Sequence, residues 1–414
     1  MSKPRVVITG MGTVNPCGLD VESTWDNVVN GRSGVGPITL FDAAPLNVKI
    51  AGEVKDFDPS QYMEGKEARR RDRFAQFGIA AAAQAVKHAH LTPDESNADE
   101  IGVMLGTAVG GLQSFFECVD TYLHQGPRRM NPFTMTMLIA DSTSAQVAII
   151  LGARGPNVAP VSACAAGADA VGLAYETILR GNARAMICGA SEATVTPVGI
   201  ASFDRLGAMT RESDNPTRAS RPFSGDRCGL VMSEGAGVLV LESLESALAR
   251  GIEPLAEIVG YGCTCDAFHI SAPLESGAGA AKAMAMALRH AGLQPEDVDH
   301  INAHGTATDL NDPMETRAIK TVFGVRAYKI PISGTKSMTG HMMGATGALE
   351  VILCVQAIRA GKVPPTINLN TPDPQCDLDY VPHVARNVPV RVAMTNAFGF
   401  GGHNAVLVIQ RYEE

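Results

Sequence analysis

The sequence of 414 residues contains few aromatic residues, which make up 5% of it, and no cysteine pair with CxxC spacing. Its nine cysteines are an odd number. This pattern indicates neither a disulfide framework nor a zinc knuckle. We therefore expect a reducing compartment and no bound metal.

Long apolar runs and targeting segments are also expected to be absent. We expect no apolar run of 18 residues, and hence no membrane insertion. A predicted strand begins at Arg5, which leaves no room for a signal or transit peptide, so a cytoplasmic location is expected. The net charge of -9 argues against nucleic acid as a partner.

A hydrophobic content of 45% is enough to bury a large core, and forty-two glycines with few aromatic residues are typical of tightly packed α/β layers. Strand-like apolar runs alternate with helical stretches along the chain. The predicted strands are Arg5–Thr9, Ile101–Leu105, Ala185–Cys188, Gly237–Leu241, Leu255–Val259, His300–Ala303, Val392–Thr395 and Ala405–Ile409. The predicted helices are Arg73–His90, Ala165–Arg180, Ala278–Ala291, Met314–Val322 and Ala345–Ala360. No low-complexity linker interrupts them, so we expect one compact unit.

Cys164 is the most informative residue. The extended run Asn157–Val161 precedes it directly, and a helix of small residues follows. A strand-to-helix turn exposes a side chain, and the helix N-terminus favours a thiolate over a thiol. The alternative is a buried structural cysteine, which is common for free cysteines.

Three segments in the second half place a polar residue beside glycine within apolar sequence. They are Asn302–Thr308 with His304, Ser333–His341 with His341, and the glycine-rich turn Asn396–Asn404. A single histidine is often a structural residue. Together, these segments indicate a site.

A thiolate and two histidines narrow the chemistry. A Cys/His hydrolase has no use for the second histidine. An enzyme that accepts an acyl group on the thiolate and passes it to a carbon nucleophile uses both histidines. The nucleophile is an enolate formed by decarboxylating a malonyl thioester, and its oxygen needs preorganised N–H donors.

The four motifs around Cys164, His304, Lys336–His341 and Phe398–Gly402, in that order, resemble those of β-ketoacyl-acyl-carrier-protein synthases, in particular the type II elongating enzymes. The resemblance covers essentially the whole chain. It implies an α/β, thiolase-like fold with two related halves in a five-layered α-β-α-β-α arrangement, residues 1–253 and 254–414. It also implies a homodimer.

The resemblance further implies the reaction. Acyl carrier protein delivers an acyl chain to Cys164, and the N–H groups of Cys164 and Phe400 hold the oxyanion. His304 and His341 then assist decarboxylation of malonyl-carrier protein and stabilise the enolate. No cofactor is bound, because phosphopantetheine of the carrier protein carries both substrates.

Several residues match the supporting positions of the family. Glu350 lies in an apolar helix and needs a cationic partner, for which Lys336 is a candidate; a purely structural ion pair is the alternative. Asp312 and Glu315 are expected to support His304.

The resemblance also identifies substrate-contacting residues. Val109 is expected to line the acyl pocket, where valine is compatible with medium or long chains. Aromatic residues at 203, 398 and 400 are expected at the substrate site, with Phe203 and Phe400 as gates, although phenylalanine is also an ordinary core residue. Thr306 and Thr308 are expected to hold the pantetheine arm.

The carrier protein is acidic, so a basic docking face is expected. A solvated surface run is the alternative for each of its members. The candidates are Lys66, Arg69, Arg70, Arg71, Arg73, Arg128, Arg129 and Arg205.

Some neighbours of the motifs depart from the family pattern. Ser162 and Ala165–Ala166 replace commoner residues around the nucleophile, and Cys228 stands where acidic residues are usual. A specialised polyketide or mycolate-type ketosynthase therefore stays open. Three other classes are less consistent with the sequence. A thiolase needs a second cysteine in the C-terminal glycine-rich loop, which here carries Phe400, and a non-catalytic chain-length partner lacks the nucleophile, which here is Cys164. A dinucleotide enzyme would rest on the weak motif Gly10–Gly12.

Overall fold

The apolar runs of the sequence form a ten-stranded sheet in the computed structural model, which describes residues 4–414. All the predicted strands and helices are present, and four of the strands run four to six residues beyond their predicted C-terminal ends. The strands are β1 (Val6–Val14), β2 (Gly36–Pro37), β3 (Ile50–Ala51), β4 (Ile101–Gly106), β5 (Asn157–Val158), β6 (Ala185–Glu192), β7 (Gly235–Ser243), β8 (Ala256–Cys265), β9 (His300–Asn302), β10 (Ile332–Ser333), β11 (Lys362–Val363), β12 (Arg386–Asn387), β13 (Val392–Gly399) and β14 (His403–Gln410).

The helices lie mostly between these strands. They are α1 (Val21–Val29), α2 (Gly65–Ala68), α3 (Arg73–His88), α4 (Leu112–Gln125), α5 (Thr134–Leu138), α6 (Ser142–Leu151), α7 (Ala166–Leu179), α8 (Pro197–Arg205), α9 (Pro216–Ala219), α10 (Leu244–Ala249), α11 (Ala278–Ala291), α12 (Asn311–Phe323), α13 (Lys336–Thr339) and α14 (Thr346–Ala360).

The sheet consists of two halves with the same topology. The strand order is β10-β9-β13-β14-β8 in one half and β1-β7-β6-β4-β5 in the other. In each half the strand that comes first in the chain, β1 or β8, pairs antiparallel with the last, β7 or β14. The last strand also pairs antiparallel with its other neighbour, β6 or β13, and the remaining pairs are parallel. The halves meet where β1 pairs with β8 over three residues. This repeated topology agrees with the two related halves that the family resemblance implies.

Helices separate the two half-sheets and cover their outer faces. α7 and α14 contact strands of both halves, α3 and α6 cover the N-terminal half, and α11 covers the C-terminal half. Three apolar clusters fill the spaces between these layers. The expected five-layered α-β-α-β-α fold is therefore confirmed.

The segment Met343–Ala360, which includes α14, has a mean hydropathy of 1.3 and is long enough to cross a membrane. This finding corrects the expectation that no apolar run of that length exists. The mean hydropathy of this segment is high although it contains Glu350 and Arg359, because its other residues are mostly apolar. It is 83% buried, as the core helix of a layered protein is.

Candidate active site

Cys164 lies in a short 3-10 helix, Ala163–Ala165, that leads into α7. Ala163 has a φ of 51°, a left-handed conformation that a non-glycine residue rarely adopts. The predicted direct junction with a strand is wrong, because β5 ends at Val158 and residues 159–162 link it to the turn. Pro160 in this link has no N–H to donate to a strand ladder.

The thiol of Cys164 is buried and has an elevated pKa. Burial raises the pKa of Cys164 to about 12, although Lys336 and the N–H groups of Phe400 and Cys164 act in the opposite direction. The expectation that the helix end yields a thiolate is therefore wrong for this buried sulfur. Desolvation of a charged sulfur outweighs the helix end.

The glycine-rich loop after β13 brings Phe400 to the nucleophile. A Cβ on Gly399 would lie 2.8 Å from the Ser162 carbonyl oxygen and 3.1 Å from the Cys164 nitrogen. Only glycine permits this approach. The N–H groups of Phe400 and Cys164 both act to lower the pKa of the Cys164 thiol, as donors near the sulfur do.

His304 and His341 face each other at this site. Their ring centroids are 5.3 Å apart, and the ring planes are nearly perpendicular. Burial and the Lys336 ammonium lower the pKa of both histidines well below the usual value. Both rings are therefore neutral near physiological pH and suited to hydrogen-bond an oxyanion.

Each histidine is held by its own set of partners. His341 Nδ1 lies 3.0 Å from Thr346 Oγ1. The carboxylate of Glu315 accepts the N–H groups of His304 and Gly305, at 2.8 Å each, and that of Asn396 Nδ2 at 3.0 Å. Glu315 thus fixes the turn that carries His304.

The other predicted supports are also buried here. Asp312 accepts the N–H of Phe223 at 2.7 Å, and burial raises the pKa of Asp312 to about 6. Lys336 Nζ lies 2.6 Å from Glu350 Oε1. The structure thus brings Lys336 and Glu350 together beside the histidines, as their motif positions predict.

Glu192 at the end of β6 is a site residue that sequence reasoning missed. It is fully buried and accepts the N–H of Ala108 at 2.6 Å, the hydroxyl of Thr107 at 3.0 Å and the N–H of Gly344 at 3.2 Å. Burial raises the pKa of Glu192 to about 7. A lone glutamate at the end of an apolar run is the signal that could have identified it.

A cavity of about 380 Å³ opens in front of Cys164. The rings of Phe203 and Phe400 stack at its wall with centroids 5.9 Å apart. The hydroxyls of Thr306 and Thr308 lie 2.9 Å apart. The predicted residues that line it are Cys164, Phe203, His304, Thr306, Thr308, His341, Phe398 and Phe400.

Val109 lies apart from this cavity. Its side chain is 45% exposed, and it does not contribute to the cavity lining. Its loop is nevertheless tied to the site, because Glu192 binds the preceding residue, Ala108.

The predicted docking residues fall into two groups. Lys66, Arg69, Arg128, Arg129 and Arg205 are exposed. Arg70 and Arg71 bind Glu67, at 3.0 and 3.1 Å. Arg73 binds the buried Glu234 at 2.7 Å and also the carbonyl of Val54, so its guanidinium serves the interior rather than a free surface.

Comparisons with known proteins match the chain over its length. The family described as "Beta-ketoacyl synthase, N-terminal domain" matches residues 3–247, and the one described as "Beta-ketoacyl synthase, C-terminal domain" matches residues 255–370. A 3-oxoacyl-[acyl-carrier-protein] synthase 2 from Synechocystis sp. is 51% identical, covering 100% of this chain and 99% of that protein. One from Staphylococcus aureus (strain COL) is 50% identical, covering 99% of each.

Solved structures of ketosynthases are similar to this chain over its full length. The ishigamide ketosynthase/chain length factor has a TM-score of 0.93 at 38% identity, covering both chains fully. A type II PKS ketosynthase in complex with its acyl-carrier protein has a TM-score of 0.92 at 35% identity, again covering both chains fully.

Proposed function

The chain belongs to the beta-ketoacyl synthase family, and from this premise we propose that Cys164, His304 and His341 carry the reaction of a 3-oxoacyl-acyl-carrier-protein synthase. The enzyme is an acyltransferase that condenses malonyl-carrier protein with an enzyme-bound acyl group. The observation that supports these residue roles is one cavity lined by a thiol and by two neutral histidines whose centroids are 5.3 Å apart.

In the first half-reaction, the Cys164 sulfur attacks the thioester carbonyl of an acyl-carrier protein. The N–H groups of Cys164 and Phe400 stabilise the oxyanion. The carbon–sulfur bond to the pantetheine breaks, and the proton of the Cys164 thiol ends on the released pantetheine sulfur. Thr306 and Thr308 bind the pantetheine arm, and Phe203, Phe398 and Phe400 surround the reacting groups.

In the second half-reaction, a malonyl-carrier protein loses carbon dioxide. The resulting enolate oxygen is stabilised by His304 and His341. The enolate carbon attacks the acyl carbonyl, the bond to Cys164 breaks, and the released Cys164 thiolate takes up one proton from solvent. The products are a 3-oxoacyl-carrier protein, carbon dioxide and the free thiol. Lys336, Glu350, Asp312 and Glu315 support the site without contacting the reacting atoms.

In this proposal the acidic carrier protein docks on exposed basic residues, with the half-buried Arg70 and Arg71 as further members of the face. Arg205 directly precedes the cavity residue Leu206. The exposed members are Lys66, Arg69, Arg128, Arg129 and Arg205. Arg73 is excluded from the proposed docking face, because Glu234 already binds it. Charge reversal at Arg129 and Arg205 should raise the KM for the carrier protein and leave kcat unchanged.

The protein acts as a homodimer in the cytoplasm. β5 is an exposed strand at one edge of the sheet, and α6 packs against it. α4 and α6 expose Phe115, Leu123 and Ile149. Such a surface on a stable protein indicates an interface. Val109 lies shortly before α4 in the chain. In this proposal Val109 lines the acyl pocket. All nine cysteines are free, which fits a reducing compartment.

One assay tests the activity and separates the candidate classes. The enzyme is incubated with acyl- and malonyl-carrier protein without nicotinamide, and carbon dioxide and 3-oxoacyl product are measured. The absence of either product refutes the proposal. The polyketide ketosynthases among the similar structures make a specialised ketosynthase the second candidate, and comparing acyl substrates of different length and oxidation state distinguishes it.

A further inference from the structure

Three hydrogen-bonded side chains lie directly behind the nucleophile turn. The Ser162 hydroxyl donates to Asp169 Oδ2, and the Tyr261 hydroxyl donates to Asp169 Oδ1 at 2.6 Å. Asp169 is in the first turn of α7, and Tyr261 is on β8. None of the three lines the cavity that holds the reacting groups.

Ser162 immediately precedes the strained residue of the turn. A left-handed alanine such as Ala163 persists only where its surroundings impose it. Two hydrogen bonds hold Ser162 in place: its hydroxyl binds Asp169, and its carbonyl accepts the N–H of Ala165 at 3.1 Å. The Ser162–Asp169 bond is therefore part of what imposes the turn.

Ser162 also lies close to the glycine-rich loop that carries Phe400, the second proposed oxyanion donor. The position of a Cβ on Gly399 is 2.8 Å from the Ser162 carbonyl oxygen. A shift of Ser162 would therefore change the spacing between the N–H of Cys164 and the N–H of Phe400. These two donors must point at one oxygen to stabilise it.

Tyr261, the last of the three hydrogen-bonded side chains, is held firmly in the interior. A Cβ on Gly172 of α7 would lie 2.3 Å from the Tyr261 ring, so β8 and α7 are in close contact beside Asp169. Tyr261 is 3% exposed. Asp169 thus connects the nucleophile turn to a rigid part of the central layer.

We propose that Ser162 and Asp169 are positioning residues for acyl transfer: their hydrogen bond sets the geometry of the Cys164 and Phe400 N–H donors. This inference rests on the proposed function of Cys164. Enolate formation should depend on it much less, because His304 and His341 are held by Glu315 and Thr346 instead.

The experiment compares two half-reactions in four variants. Ser162→Ala removes the hydroxyl, Ser162→Thr restores one, and Asp169→Asn weakens the acceptor. Tyr175→Phe is the matched control, because Tyr175 is on the same helix and its hydroxyl binds the carbonyl of Val259 at 3.1 Å, away from the turn. Single-turnover acylation of Cys164, decarboxylation of malonyl-carrier protein alone, and the thermal midpoint are measured.

We expect Ser162→Ala to slow acylation by about tenfold to a hundredfold and to change decarboxylation by less than about threefold. Ser162→Thr should recover most of the acylation rate, and Tyr175→Phe should change neither rate. Wild-type acylation by Ser162→Ala, or a parallel loss of both half-reactions, overturns the inference. If Ser162→Ala does not fold, Asp169→Asn decides by the same comparison. If the wild-type enzyme itself is not acylated, the proposed function fails instead.

Discussion

Lys336 Nζ lies 2.6 Å from Glu350 Oε1, and both side chains are 1% exposed. This ammonium lowers the pKa of Cys164, His304 and His341. Among residues 4–414, Glu350 Oε2 has no hydrogen-bond partner. The pair is therefore a buried cation, held by a single carboxylate oxygen, that adds to burial in keeping both histidines neutral.

Replacing Lys336 with methionine should shift the pH dependence of condensation. Without the ammonium, the pKa of both histidines rises, so imidazolium forms at a higher pH and activity falls earlier on acidification. Breaking the pair should also cost about 3–5 kcal/mol of unfolding free energy, because it leaves Glu350 unpaired. Rate profiles against pH and denaturant unfolding measure the two effects.

The double variant Lys336→Met with Glu350→Gln is the control. It should recover part of the stability, because no buried charge is left unpaired, and it should retain the shifted pH profile. An unshifted acid limb in both variants would contradict an electrostatic role for Lys336.

Replacing either histidine with alanine should reduce condensation by about a hundredfold or more, the cost of losing one oxyanion donor. Because the acyl group is transferred before the enolate forms, acylation of Cys164 should fall much less. Both half-reactions are measured by rapid quench. Condensation within a few fold of normal in His304→Ala would refute the role of that ring.

The alkylation of Cys164 by iodoacetamide should rise continuously with pH. Burial raises the pKa of Cys164 to about 12, so the thiolate fraction still increases at about pH 10. Peptide mass spectrometry distinguishes Cys164 from exposed cysteines such as Cys228. A plateau near neutral pH would instead mean a thiolate in the resting enzyme.

The order of strands and helices could be predicted from sequence because apolar periodicity determines it locally. The proposed site residues also have local signals: His304 and His341 stand beside glycine in apolar sequence, and Cys164 stands where an extended run meets a helix of small residues. The helix α4 was not predicted. Several of its apolar residues are exposed, and their exposure depends on the tertiary structure and cannot be read from the sequence.

The missed residues depend on contacts between distant segments. Glu192 matters because the loops at Ala108 and Gly344 both meet it, and Asp169 matters because Tyr261 approaches from β8. The protonation of Cys164 was predicted wrongly for the same reason. The helix end is visible in the sequence, but the burial that outweighs it depends on the packing of the whole chain.

Adding one methyl group at Gly399 should impair acyl transfer. The φ of Gly399 is -123°, which alanine adopts easily, so the effect is one of contact alone. The methyl would lie 2.8 Å from the Ser162 carbonyl and displace the Phe400 N–H. We expect Gly399→Ala to slow acylation by about a hundredfold. Gly65→Ala, whose methyl meets nothing within 4 Å, is the control and should acylate normally.

Glu192→Gln tests a buried carboxyl group that lies near the nucleophile without contacting substrate in the proposed reaction. Burial raises the pKa of Glu192 from 4.5 to about 7. The folded protein therefore binds a proton more tightly than the unfolded chain, and the contribution of Glu192 to stability falls as pH rises through this interval. The full penalty is present above about pH 7 and amounts to about 3 kcal/mol.

Glutamine removes this titration and retains an acceptor for the N–H groups of Ala108 and Gly344. The stability difference between Glu192→Gln and the wild type should therefore shift in favour of the variant as pH rises from about 5 to about 8. The variant should also alkylate Cys164 faster at a given pH, because the Glu192 charge raises the pKa of that thiol. Glu22→Gln, on the exposed surface of α1, is the control for both measurements. A stability difference that does not change with pH would mean that Glu192 is ionised throughout, and its charge would then need a cationic partner within the fold.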